Sequence, residues 1–192
     1  MKLRRRFLTA AAALGMAITG AVVPATSALA DDVSRVGGCD IHIRAMWTQK
    51  WWVAWANQPN APVTANSMNY QGQWEKFYLQ TLPDGTFRIV SKATNRYIVA
   101  RADVNQSPLA ANSGVAGNWE RFVLEDLQTD WQGYDGYLRA VSNFKYVLTR
   151  ADEPNSPARA NSNIKGIWER VRLEPLDYES DSCWPKGDNP YR

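Results

Sequence analysis

The sequence predicts an all-β domain assembled from three like thirds. Three observations carry this. One motif of about 46 residues is written three times between residues 40 and 175. Each repetition breaks into four short segments with strand character. No long window beyond the first 30 residues keeps a helical period.

The repeats are WWVAWANQPNAPVTANSMNYQGQWEKFYL (residues 51–79), YIVARADVNQSPLAANSGVAGNWERFVL (97–124) and YVLTRADEPNSPARANSNIKGIWERVRL (146–173). All share a proline, then Ala-Asn-Ser, then Gly-x-Trp-Glu, then a leucine. The motif tryptophans, Trp74, Trp119 and Trp168, are 45 and 49 residues apart, too regular for chance. Each repeat opens on a strand candidate, at 41–46, 87–91 or 137–142. An aromatic-apolar strand follows, starting at Trp51, Tyr97 or Tyr146. A polar, proline-bearing loop leads to a short strand ending in Ala-Asn-Ser, and a second turn leads to a Trp-Glu strand. Twelve short strands in three fours predict a single closed β-trefoil barrel with a hairpin cap. Closure removes edge strands, whereas an open solenoid of three repeats leaves two ends to cap and a three-bladed propeller is below the usual size.

Period-2 alternation in the last strand sets Leu79, Leu124 and Leu173 on the inner wall. It puts Trp74, Trp119 and Trp168 on the other face, as cover under a loop unless a bulge turns them inward. Gly72, Gly117 and Gly166 allow either a positive φ or a close backbone approach. Asn66, Asn112 and Asn161 are expected to bond nearby backbone and pin that turn. Glu75, Glu120 and Glu169 are expected to serve as structural partners for backbone donors or basic neighbours. Each falls in a different third, so they do not form the close carboxyl pair of a glycoside hydrolase.

Residues that break the repetition carry the expectation of function. Arg101 with Asp103, and Arg150 with Asp152, can either hydrogen-bond sugar hydroxyls or pair with one another and fix their loops. The first repeat has Trp55 in place of the arginine and is rich in aromatics. Trp51 and Tyr70 are expected to pack, leaving Trp47 or Trp55 exposed as a sugar platform or protein contact. Trp131 lies in an inserted stretch between the second and third repeats. The candidate ligand-binding set is therefore Trp47, Trp55, Arg101, Asp103, Trp131, Arg150 and Asp152.

Residues 1–30 read as a cleavable export signal: a basic start, an apolar run, Pro24, and Ala28-Leu29-Ala30 before cleavage. Arg4-Arg5-Arg6-Phe7-Leu8 resembles the twin-arginine pattern, with Leu3 where a hydroxyl residue is usual, so the general route stays open. An uncleaved anchor is the alternative, and no later stretch is apolar enough to span a membrane. The signal holds four of the 22 basic residues and no acidic ones. Removing it leaves 18 basic against 19 acidic residues, a net charge of −1, which argues against a nucleic-acid partner. The expected layout is a signal at 1–30, a short segment at 31–38, the domain at 39–184 and a tail at 185–192. Cys39 and Cys183 flank the domain, and export favours a disulfide between them over two free thiols or a catalytic cysteine. One histidine, His42, and scattered acids supply no metal-ligand cluster or catalytic centre, so no cofactor, no metal and no enzymatic activity are expected.

Taken together, the proline, Ala-Asn-Ser, Gly-x-Trp-Glu-x-Phe-x-Leu and the preceding Tyr-x-x-Ala resemble the fascin-like, actin-cross-linking β-trefoil family over residues 40–175. The third repeat departs with Val171 for phenylalanine, the first with Trp51 for tyrosine and Trp55 for arginine. The resemblance implies the barrel more firmly than a ligand. Actin does not carry over to an exported single trefoil, and the Gln-x-Trp signature of ricin-like sugar-binding trefoils is absent. The expectation is a secreted, extracellular, non-enzymatic module binding a polysaccharide or cell-surface glycan. The alternative is a secreted domain that binds or inhibits an extracellular protein.

Overall fold

The computed structural model describes residues 37–130 and 133–177. The expected export signal, most of the 31–38 segment, Trp131, Cys183 and the expected tail lie outside the described residues.

Twelve strands follow in order: β1 (Gly38–Ala45), β2 (Lys50–Ala54), β3 (Val63–Ser67), β4 (Phe77–Thr81), β5 (Phe87–Ser91), β6 (Arg96–Ala100), β7 (Leu109–Ser113), β8 (Arg121–Asp130), β9 (Gly133–Ala140), β10 (Tyr146–Thr149), β11 (Ala158–Ser162) and β12 (Arg170–Pro175). β1, β4, β5, β8, β9 and β12 pair antiparallel in that circular order, and β12 returns to β1. This is a closed six-stranded barrel. The hairpins β2–β3, β6–β7 and β10–β11 cap one end. The fold is a β-trefoil, as the threefold writing of the sequence predicts.

The cap explains much of the shared motif. Asn60-Ala61, Gln106-Ser107 and Asn155-Ser156 all take left-handed backbone, with φ between 44° and 66°. This turns the carbonyls of Ala61, Ser107 and Ser156 toward the neighbouring hairpin. They accept from the amides of Ala111, Ala160 and Ala65 at 2.8, 2.9 and 2.9 Å. These three alanines belong to the Ala-Asn-Ser triplets and are fully buried. A side chain no larger than methyl lets three hairpins meet. The prolines just before the third strands need no N–H there. Their carbonyls accept from Trp55, Arg101 and Arg150.

The barrel is filled by inward residues at matched register. Ile43, Ile89 and Leu138 form one set, and Phe77, Phe122 and Val171 another. Trp52, Ile98 and Val147 close the core from the cap strands. Leu79 and Leu173 are buried as expected, but Leu124 is only partly buried. The cause lies in the third repeat. Gly136 stands opposite Val171, where the other repeats pair Ile41 with Phe77 and Phe87 with Phe122. A Cβ on Gly136 would fall 2.8 Å from both Leu124 Cγ and the Glu125 carbonyl oxygen. Leu124 therefore leans over the glycine. We expect Gly136→Ala to cost about 1–3 kcal/mol, read as a lower urea midpoint.

A second difference concerns the Trp-Glu pair. The last strands begin at Phe77, Arg121 and Arg170, so Trp74-Glu75, Trp119-Glu120 and Trp168-Glu169 lie in the turn before them. Strand alternation does not apply to these tryptophans. Their backbone carbonyls accept from the amides of Ala54, Ala100 and Thr149 at 2.9, 3.0 and 3.1 Å, tying each turn to the end of its second strand.

Candidate functional site

The threefold scaffold repeats one surface position three times, between the first strand of each repeat and the last strand of the repeat before it. Register defines the matches. His42 lies opposite Glu174, Arg88 opposite Gln80, and Tyr137 opposite Glu125. Beside them stand Trp51, Tyr97 and Tyr146 at the start of the second strand. The loop before Gly-x-Trp-Glu completes each position with Gln71, Ala116 or Lys165.

That loop is held by the same device in each repeat. The hydroxyls of Ser67, Ser113 and Ser162 accept from the amides of Asn69, Val115 and Ile164, and donate to the same residues' carbonyls. The serine of the triplet, rather than its asparagine, pins the turn. Glu120 and Glu169 are buried and accept from the Gly117 and Gly166 amides at 2.8 and 3.0 Å. A Cβ on Gly117 or Gly166 would approach the same carboxylate to 3.0 or 2.7 Å, and one on Gly72 would collide with Glu75. Close approach, not positive φ, is why glycine stands there. Glu120→Ala should cost about 1–2 kcal/mol by leaving a partly buried amide unpaired, measured by denaturant unfolding.

Two of the three surface positions are filled by the protein itself. In the second, Arg88 donates to the Ala116 carbonyl at 3.2 Å and its guanidinium lies 5.9 Å from the Tyr97 ring centre. In the third, the Lys165 ammonium sits 5.7 Å from the Tyr137 ring centre and 5.6 Å from that of Tyr146. It pairs with Glu125 at 3.2 Å and Asp126 at 2.8 Å. Burial pushes the Glu125 carboxyl up, but hydrogen bonds from Tyr146, Arg139 and Lys165 outweigh it and bring its pKa to about 2. A depressed carboxylate stabilises above its unfolded pKa. This contribution is full above about pH 4.5 and drains away as pH falls toward about 2. Urea midpoints of the wild type should fall more steeply across that window than those of Glu125→Gln.

The first position is open. A cleft of about 540 Å³ is lined by His42, Trp51, Tyr70, Gln71, Lys76, Glu174, Pro175 and Leu176. Three rings meet in it. The His42 ring centre is 5.5 Å from Trp51 and 5.2 Å from Tyr70, and Trp51 is 5.1 Å from Tyr70. His42 Nδ1 lies 3.0 Å from the Glu75 carbonyl oxygen. A carbonyl only accepts, so Nδ1 carries the proton and Nε2 is left as an acceptor. Burial is the main cause that lowers the His42 pKa, with Lys76 adding to it, which favours the neutral ring. Burial likewise raises the Glu174 carboxyl, against the pull of Arg44 and Arg172. Arg44 pairs with Glu174 at 2.6 Å and lies 5.1 Å from the Trp51 ring centre.

The candidates taken from the sequence lie elsewhere or have other partners. Arg101 pairs with Asp103, and Arg150 with Asp152, each through two hydrogen bonds of 2.6–2.9 Å. Of the two readings of these loops, the geometry is that of internal pairing. Arg150 also covers Trp168, at 4.9 Å from its ring centre. Trp55 takes the arginine's place in the first repeat, edge-on to Trp74 at 5.2 Å, with its indole N–H on Thr64 Oγ1. Trp47 is 56% exposed and Trp119 is 41% exposed. Arg101→Ala should leave ligand affinity unchanged, measured by calorimetric titration.

Sequence reasoning expected Trp51 and Tyr70 to pack but did not place them in a site with His42, Gln71 and Glu174. One signal was available. Four residues, Met68 to Gln71, separate Ala-Asn-Ser from Gly-x-Trp-Glu in the first repeat, against three in the others. That extra residue brings in Tyr70.

Among the described residues, no group of three His, Cys, Asp or Glu side chains could hold a metal ion. No family model matches the chain, and no curated protein matches it in sequence. Solved structures do match in fold. A designed threefold-symmetric protein, ThreeFoil, aligns over 71% of this chain and 99% of its own, with a TM-score of 0.62 and 17% identity. The BEL β-trefoil aligns over 73% of this chain and 95% of its own, at 0.58 and 12%. An exo-β-1,3-galactanase from Clostridium thermocellum aligns over 72% of this chain but only 30% of its own, at 0.58 and 12%.

Proposed function

We propose that this chain is a secreted, non-enzymatic binding module whose ligand is a polysaccharide or cell-surface glycan, held in the first-repeat cleft. The observation that carries this is the asymmetry of the three equivalent positions. Two are filled by Arg88 and Lys165, and the third is open and lined by aromatic and polar groups. Pockets that combine ring faces with a few polar atoms suit sugars, which offer C–H faces and hydroxyls together. The resemblance to fascin-like trefoils is part of this reading, and a trefoil-like segment within an exo-β-1,3-galactanase supports it.

A glycan array and pull-down on insoluble plant, fungal and bacterial polysaccharides test it. Saturable binding of at least one is expected, and none across all three sources overturns it. Export implies a bond between Cys39 and Cys183, closing a loop of 145 residues and contributing about 4–5 kcal/mol by chain entropy. Intact mass of the secreted protein should show cleavage after Ala30 and both thiols blocked to alkylation. Two free thiols would contradict the pairing.

A further inference from the structure

We infer that the open cleft takes a primary ammonium group, carried on its ligand by an amino sugar. The inference rests on the glycan reading above and names the chemistry of the group bound.

The third repeat shows what this surface position holds when the chain fills it. A lysine ammonium lies between two ring faces, Tyr137 and Tyr146, and reaches Glu125 on the adjacent strand. The first repeat keeps each of these parts. His42 matches Tyr137, Trp51 matches Tyr146, and Glu174 matches Glu125 by register. The arginine that braces the acid is kept as well, with Arg44–Glu174 corresponding to Arg139–Glu125. The ammonium is missing because Gln71 stands where Lys165 does, and Pro175 stands in place of Asp126, the second acid that holds Lys165. The extra residue, Tyr70, adds a third ring. The rings and the braced acid of the lysine cage have thus been retained without the lysine.

The polar atoms fit the same occupant. An ammonium has three donors and no acceptor. The cleft offers acceptors: the Glu174 carboxylate, Nε2 of the neutral His42 and the Gln71 amide oxygen. Ring faces attract a cation within about 6 Å. Lys76 lines the same cleft and works against a cation. Its counterpart Arg170 coexists with the Lys165 cage by turning to Gln128 and Asp135.

Four probes separate this inference from the broader one. They are a β-1,4 glucosamine tetramer with free amines, its N-acetylated counterpart, a neutral glucose tetramer and n-butylammonium. Each is titrated calorimetrically at about pH 6, where the amines are protonated. The free-amine tetramer should bind at least about tenfold tighter than the N-acetylated one, and butylammonium should compete with it. Gln71→Lys restores the internal ammonium and should abolish binding while its urea unfolding curve stays that of the wild type. Lys76→Met should tighten amine binding severalfold. Equal affinity for all three tetramers would overturn the ammonium assignment and leave the glycan reading standing. Butylammonium binding with no tetramer bound would do the reverse. Amine binding undiminished in a folded Gln71→Lys variant would place the ammonium elsewhere and overturn the inference.

Discussion

Trp52→Ala should cost about 3–5 kcal/mol, much of the stability of a domain this size. Trp52 is fully buried and is the largest side chain of the core. Its counterparts in the other repeats are Ile98 and Val147, so the indole fills volume that the shorter residues leave on the other two sides. Truncation removes that volume at the junction of barrel and cap, where the hairpins are locked together by backbone hydrogen bonds and cannot collapse inward. Trp52→Phe, which keeps a ring, should lose less than half as much. Urea unfolding with a constant slope checks both. A loss of under about 1 kcal/mol for Trp52→Ala would mean that the core is not closed as described.

Tyr70→Ala should weaken glycan binding about thirtyfold, near 2 kcal/mol, and leave the fold intact. Tyr70 is 49% exposed and sits on a loop, so little core packing depends on it. Within the cleft it contacts both other rings. Its loss removes one wall and leaves Trp51 and His42 facing open water. Trp51→Ala should weaken binding as much but also destabilise, because Trp51 is buried and carries Arg44 on its face. The contrast separates a ligand contact from a structural ring. If Tyr70→Ala binds like the wild type while Arg101→Ala does not, the ligand lies on the second-repeat loop instead.

The scaffold was legible because its physical causes recur. A buried alanine where hairpins meet, a glycine under a glutamate and a proline at a strand start each have one explanation, needed three times. The strand assignment failed at Trp74, Trp119 and Trp168 because they follow a turn fixed by Gly and Glu at i and i+3. Alternation holds only within a ladder. Leu124 departed because its surroundings depend on Gly136, on a strand of another repeat.

The proposed site was harder to read because it is the one of three equivalent positions that the chain does not fill. His42 and Glu174 lie 132 positions apart in the chain and become neighbours only when β12 closes on β1. Local exposure and loop chemistry favoured Arg101, Asp103, Arg150 and Asp152, whose side chains pair with each other. The lone extra residue at Tyr70 was visible, but its meaning required the register of all three repeats.

The placement of the ligand is tested most directly by following the indole N–H signals of the isotope-labelled protein during titration with a bound glycan. The Trp51 signal should move to saturation, while those of Trp55, Trp119 and Trp168 hold within their starting linewidths. Saturable movement of Trp119 or Trp168 with Trp51 unmoved would contradict a ligand seated between the first and last strands of the barrel.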